Sequence, residues 1–294
     1  MASTDEIPWG ALPLERYVLA QWASLPSVAP DRRRRQLAQQ FTAIGQSARK
    51  LHIARSFRQP YAGLPPNSDW EGILAPLRTS YQRQFALPDA FQPLGSPCFG
   101  IVWLRTCYDE GSDEAHQKLL KELDEDMALD VRQNVLDDAA LYDYGEDWRR
   151  IFEVVPERLL GVVCKDSPHD MLSKSDEHIA PEDYKAHIRE AQKALDIWDW
   201  ANNRDVGLAR IHLYVIDSYL FVADKIALDT GRALVIFFDT YGRTVRRSRL
   251  PPRDGEHLAG AWWDGCIDED DWFLDAEIGP DYVPGGLCGP PYTM

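Results

Sequence analysis

Apolar and β-branched positions are densest between residues 208 and 250. Residues 208–216 read Leu-Ala-Arg-Ile-His-Leu-Tyr-Val-Ile, and residues 232–239 read Arg-Ala-Leu-Val-Ile-Phe-Phe-Asp. Turn residues bound both runs, so the pattern predicts a strand over 208–216, a loop, a strand over 232–239, a turn at 240–243 and a basic strand ending at Leu250. The front of the chain has a different period. Leu14, Val18, Trp22 and Leu25 fall on one helical stripe, which Pro26 and Pro30 break. A second helix is expected from Asp31, read as its N-cap, through Leu37, Phe41, Ile44, Ala48 and Leu51. Residues 59–66 read as an extended loop, and Ser68 to Glu71 as a capping box that opens a short helix.

Residues 98–108 predict a strand, stopped by Asp109-Glu-Gly-Ser. A helix follows from Asp113, with Leu119, Leu120, Leu123, Met127 and Val131 on its apolar side. Residues 149–155 and 159–164 are short strand candidates around Pro156, and 165–180 is polar and loop-like. Pro181 opens a helix carrying Tyr184, Ile188, Ala191, Leu195 and Trp198 at spacings of four and three. This order of elements predicts an α+β fold: a ferredoxin-like antiparallel sheet with helices on one face. A helical N-terminal region over 1–95 precedes the sheet domain, which spans 96–294 and ends in an acidic, Trp-rich segment. The phrase Phe-Gly-Ile-Val-Trp-Leu-Arg-Thr-Cys-Tyr at 99–108, with the acidic helix after it, resembles an opening found in hypothetical proteins of filamentous fungi. The similarity covers about residues 97–220. It implies a fungal setting, with specialised metabolism as a context, and attaches no activity.

Composition narrows the function classes. An apolar fraction of 45%, with 10 Trp, 12 Tyr and 10 Phe, is ample for a packed core. The net charge of -15 argues against nucleic-acid binding, which needs Lys and Arg in excess, and against an anionic membrane surface. No stretch approaches a membrane span. The start of the chain shows no signal-peptide pattern, and five scattered cysteines suit reduced thiols, so a cytoplasmic location is expected. The arginines Arg32, Arg33, Arg34 and Arg35 offer a nuclear-import reading beside the reading of a solvated helix face. Residues 1–96 hold 11 Lys and Arg against 7 Asp and Glu, while the rest holds 21 against 40. A basic front could therefore dock on an acidic back.

Candidate chemistry comes from dividing the expected strands by face. Val102, Leu104 and Thr106 would face the helices, as would Ile211, Leu213 and Val215. The other, open face would then carry Trp103, Arg105, Glu153, Arg210, His212 and Tyr214. That set suggests a cofactor-independent enzyme or small-molecule binder. His212 would be the acid or base with Glu153 as the catalytic carboxylate, Arg105 and Arg210 would steer an anionic group, and Trp103 and Tyr214 would form walls. The structural reading of the same residues is an Arg105–Glu153 ion pair and a satisfied core histidine.

Asp268 to Asp271, with Asp264, Asp275 and Glu277 near by, form an acidic run that lacks the alternating ligands and glycine of a calcium loop. No metal and no cofactor is expected. The run supports the alternative function, a non-catalytic scaffold whose acidic region engages a basic partner. The sequence leaves a homodimer open. No Gly-rich phosphate loop, nucleophile elbow or zinc helix is present.

Overall fold

The computed structural model describes residues 9–10, 13–45, 48–49, 69–85, 101–124, 135–153, 186, 188–189, 204–264, 272 and 275–289. The expected strand at 159–164, the loops at 59–66 and 165–180, most of the 181–198 helix and the acidic run at 268–271 lie outside these residues. Ile188 of that helix is helical and fully buried.

The architecture is α+β: helices around a six-stranded mixed sheet, with a helical N-terminal region. The N-terminal helices are α1 (Pro13–Gln21), α2 (Pro30–Ala43) and α3 (Trp70–Phe85). A 3-10 turn, Trp22–Ser24, extends α1. Pro30 occupies the first turn of α2 behind Ala29, so Ala29 is the N-cap and Asp31 lies inside the helix. In α3 the carboxylate of Asp69 accepts from the Gly72 amide at 2.9 Å, and the helix runs 16 residues rather than being short.

Strand β1 (Trp103–Arg105) leads through α4 (Ser112–Asp124) to β2 (Val135–Leu136), and the two strands are parallel. A short helix, α5 (Ala139–Tyr142), and a 3-10 turn, Trp148–Glu153, follow where a strand was expected. Helix α6 (Arg204–Val215) then passes directly into β3 (Ile216–Ala223). After it come α7 (Lys225–Thr230), β4 (Ala233–Asp239), β5 (Thr244–Leu250), α8 (Asp254–Asp264) and β6 (Glu277–Ile278). The strand order is β2-β1-β3-β4-β5-β6. β1 is parallel to both β2 and β3, and the remaining pairs are antiparallel. The sheet is therefore not the wholly antiparallel, ferredoxin-like one expected.

Helices cover both faces. On β4, Ala233, Val235 and Phe237 point into one core with Leu119 and Leu123 of α4, Ile211 and Leu213 of α6, and Leu258 and Trp262 of α8. Ile236 and Phe238 point into a second core with Leu14 and Val18 of α1, Leu37 and Phe41 of α2, and Leu74 of α3. An unbroken apolar strand is what burial on two faces demands, since side chains alternate across the pleat. Closeness matters on one side. A Cβ on Gly255 of α8 would lie 2.4 Å from Ile101 Cδ1, so the missing side chain lets α8 approach the sheet.

Three of the four consecutive arginines fasten the N-terminal helices. Arg33 donates to the carbonyls of Pro26 and Val28 at 2.8 Å each, and its guanidinium sits 4.5 Å over the Trp22 ring. Arg34 reaches the Ile73 carbonyl of α3 and the Asp31 carboxylate. Arg35 pairs with Glu153 at 3.1 Å. These contacts hold α1, α2, α3 and the 148–153 turn together. Among the described residues, no helix is long and apolar enough to cross a membrane.

Candidate functional site

The six residues expected on one open face do not share one. Trp103 is fully buried and Arg105 is 4% exposed, both beneath the α4 layer. Val102 and Leu104 of the same stretch fall in the opposite core from Trp103. Arg210, His212 and Tyr214 lie on helix α6, not on a strand. At 100° per residue, a helix puts Arg210 and Tyr214 on one side and His212 roughly opposite. His212 is fully buried, while Arg210 and Tyr214 are half-buried. Glu153 ends the 148–153 turn and binds Arg35 and Gln39, the latter at 2.8 Å. The expected Arg105–Glu153 pair is absent, since each has other partners.

Ionisable groups converge instead at the carboxyl end of β1. There the strand order doubles back, with β2 on one side of β1 and β3 on the other, all three parallel. Open sheets present ligand sites at such points, because the loops that leave adjacent strands diverge and open a crevice. Arg105 is the last residue of β1. Its Nε donates to the Cys107 carbonyl at 3.0 Å, and one terminal nitrogen donates to Ser112 Oγ at 2.7 Å and Asp113 Oδ1 at 2.6 Å. The other terminal nitrogen faces Asp137 Oδ1 at 3.5 Å. The Tyr108 ring lies 4.4 Å from the guanidinium. One buried cation thus ties the start of α4 and the loop after β2 to the end of β1.

His116, one turn into α4 and fully buried, completes the cluster. Its Nε2 accepts the Trp103 indole N–H at 3.0 Å, and its Nδ1 lies 3.4 Å from Asp137 Oδ2. An indole only donates, so Nε2 must keep its lone pair and the ring proton must sit on Nδ1, toward Asp137. Burial pulls the imidazole down to about 4, with Arg105 adding to the fall and Asp137 opposing it. Burial and the Asp137 carboxylate also push the Tyr108 phenol up. Perturbed groups gathered at the carboxyl end of a strand, where the strand order doubles back, are what functional sites show. The rim is acidic: Asp113 is 86% exposed and Asp137 is 28% exposed. On the β3 side, Lys225 pairs with Asp109, and Arg249 pairs with Asp224 at 2.6 Å.

His212 sits in a separate network. Its Nδ1 accepts from Arg246 Nε at 2.9 Å, and its ring meets the edge of Tyr282 at a centroid distance of 5.4 Å. Burial, then Arg246, lowers the imidazole well below its ordinary value. Among the described residues, no group of three or more His, Cys, Asp or Glu is placed to hold a metal ion.

The signal for Tyr108, Asp113 and His116 is the strand–acidic turn–helix phrase at 103–116, which marks a site only if the strand enters a parallel crossover; Asp137, in the loop after β2, had no such signal. The expectation of an antiparallel sheet hid the signal of the first three, because only a parallel strand gives its carboxyl end this meaning. Comparison with family models, curated proteins and solved structures returned no match.

Proposed function

We propose that the chain binds a small polar molecule, without an organic cofactor, at the carboxyl ends of β1 and β2. The observation that carries this reading is the convergence of buried Arg105, the His116–Asp137 pair and Tyr108 where the strand order doubles back. The sign of the ligand follows from the pairing. Arg105 already has Asp113 and Asp137 around it, so the outward-facing groups are carboxylates, and an amine or guanidine suits them better than an anion. Asp113 and Asp137 are the anchors, Tyr108 offers a flat ring, and Arg105 positions both carboxylates. Trp103 lies in the floor rather than in a wall. Binding is favoured over catalysis, because the His116 nitrogen that a base would use is occupied by the Trp103 indole. The resemblance to proteins of filamentous fungi suggests an amine-bearing metabolite of such an organism.

The test is thermal unfolding of the full chain against amines, amino sugars, amino acids and matched anions. A ligand at about 100 times its Kd should add ~2.7 kcal/mol of stability. Asp113→Asn, on an exposed side chain, should leave the fold intact and remove that gain, and Asp137→Asn should do the same. Gains from anions alone, or gains that both variants keep, would sink the reading. A second reading, an acidic surface for a basic protein partner, rests on the net charge of -15. It predicts salt-sensitive association with a lysine-rich peptide, at equal strength in wild type and in Asp113→Asn.

A further inference from the structure

Two of the helices packed on one face of the sheet are joined to it in the same unusual way. Helix α4 reaches β1 through His116, whose Nε2 accepts the Trp103 indole N–H at 3.0 Å. Helix α6 reaches β5 through His212, whose Nδ1 accepts the Arg246 Nε–H at 2.9 Å. Both imidazoles are fully buried, and both partners can only donate. An imidazolium has no lone pair, so a proton on either ring converts the helix–sheet hydrogen bond into two donors facing each other. We infer that the α4–α6 layer is an acid-sensitive clasp, held to the sheet by the lone pairs of His116 and His212 and released when these rings are protonated.

The charged surroundings differ, and the clasp survives the difference. Around His116 stand Asp137 from the loop after β2, Asp113 from α4 itself and Arg105 from β1. The two carboxylates favour an imidazolium, yet neither can restore the acceptor that Trp103 needs. Around His212 stand Arg246 from β5, with Asp205 of α6 acting on that arginine, and Tyr282, whose hydroxyl is bonded to Asp239 of β4. A proton on His212 would place two cations in contact in the core. Its Nε2 has no hydrogen-bond partner among the described residues, so nothing there offsets the cost. The sign is fixed: both rings are harder to protonate folded than unfolded. The stability they confer is complete above the unfolded pKa of about 6.5 and is lost as pH falls toward their folded values.

The inference does not depend on a ligand at β1. It is tested on the full chain labelled with 15N-histidine, followed by long-range 1H–15N spectra from pH 7.5 to 4, with near-UV and far-UV circular dichroism in parallel. The spectra should show His116 as the Nδ1–H tautomer and His212 as the Nε2–H tautomer. Both should stay neutral until they become imidazolium together with loss of the near-UV signal, while far-UV helicity persists. The double variant His116→Gln, His212→Gln keeps a carbonyl acceptor and cannot be protonated, so its near-UV midpoint should fall by about one pH unit or more. Either ring titrating near 6.5 with the near-UV signal unchanged, or the opposite tautomers, would overturn the clasp. So would an unchanged midpoint in the double variant. If that variant does not fold, the tautomer spectra of the wild-type chain decide alone.

Discussion

Asp239 shows how much one buried carboxylate can organise. It ends β4 with no exposure, and its Oδ1 accepts from the amides of Tyr241 and Arg243 at 2.8 and 2.9 Å. Its Oδ2 accepts from Arg243 Nε and from the Tyr282 hydroxyl, at 2.7 Å each. The first pair shapes the turn into β5, and the second ties the C-terminal segment to the sheet. Burial raises the Asp239 carboxyl, with Arg243 and the donated hydrogen bonds pulling against it. Asp239→Asn would put an amide N–H where Oδ2 now meets two donors, and would leave the Arg243 charge without its partner. A loss of about 2–4 kcal/mol is expected, read as a lower denaturant midpoint at unchanged slope. Tyr282→Phe removes one hydrogen bond and should cost about 1 kcal/mol. Equal losses in the two variants would mean that Asp239 serves only the C-terminal segment. Nothing in the sequence marked this residue, because an Asp closing an apolar strand reads as ordinary turn chemistry whether it is buried or solvated.

Among the elements, legibility followed period and length. Helices α1 and α2 were readable because Leu14, Val18, Leu37 and Phe41 recur at helical spacing, and these four are fully buried. Strands β4 and β5 were readable from their β-branched and aromatic residues and from the turn between them. Helix α6 was not. It is apolar on nearly every side, so its residues carry no stripe, and a short apolar run suits a buried helix as well as a strand. The true strand begins where the expected one ended, at Ile216, and Asp217 and Ser218 made its start look like a loop. The same error moved His212 onto a surface it does not share, so the expected site lost its acid. A packing test belongs at this level. Gly255 lets α8 lie against Ile101, Leu123 and Phe221, and a Cβ there would sit 2.4, 3.2 and 3.4 Å from their side-chain atoms. Alanine improves helix propensity by about 1 kcal/mol on an open surface, but overpacking costs about 1–3 kcal/mol. Gly255→Ala should therefore be destabilising on balance, and a raised melting temperature would show that α8 can slide away from the sheet without loss.

For the molecule as a whole, the decisive feature is a sheet buried on both faces. The chain reads as a helical front followed by a sheet domain, and a boundary near residue 95 invites cutting it there. The packing argues against independence of the second part. Leu220, Val222, Ile236 and Phe238 are buried against side chains of α1, α2 and α3, and α2 also holds the 148–153 turn through Arg35, Gln39 and Glu153. Removing residues 1–95 would expose that apolar face, which is far more than a soluble monomer leaves in contact with water. Each large side chain uncovered forgoes about 1.5–3 kcal/mol, so four of them already match the whole stability of an ordinary domain. A fragment of residues 96–294 should accordingly be aggregation-prone, bind a hydrophobic dye and unfold without a cooperative transition. Adding residues 1–95 as a separate chain should restore cooperativity in part, because the contacts are noncovalent and the arginines of α2 supply directed bonds as well as apolar area. A soluble fragment that melts cooperatively on its own would show that the N-terminal helices are an appendage laid on a self-sufficient sheet.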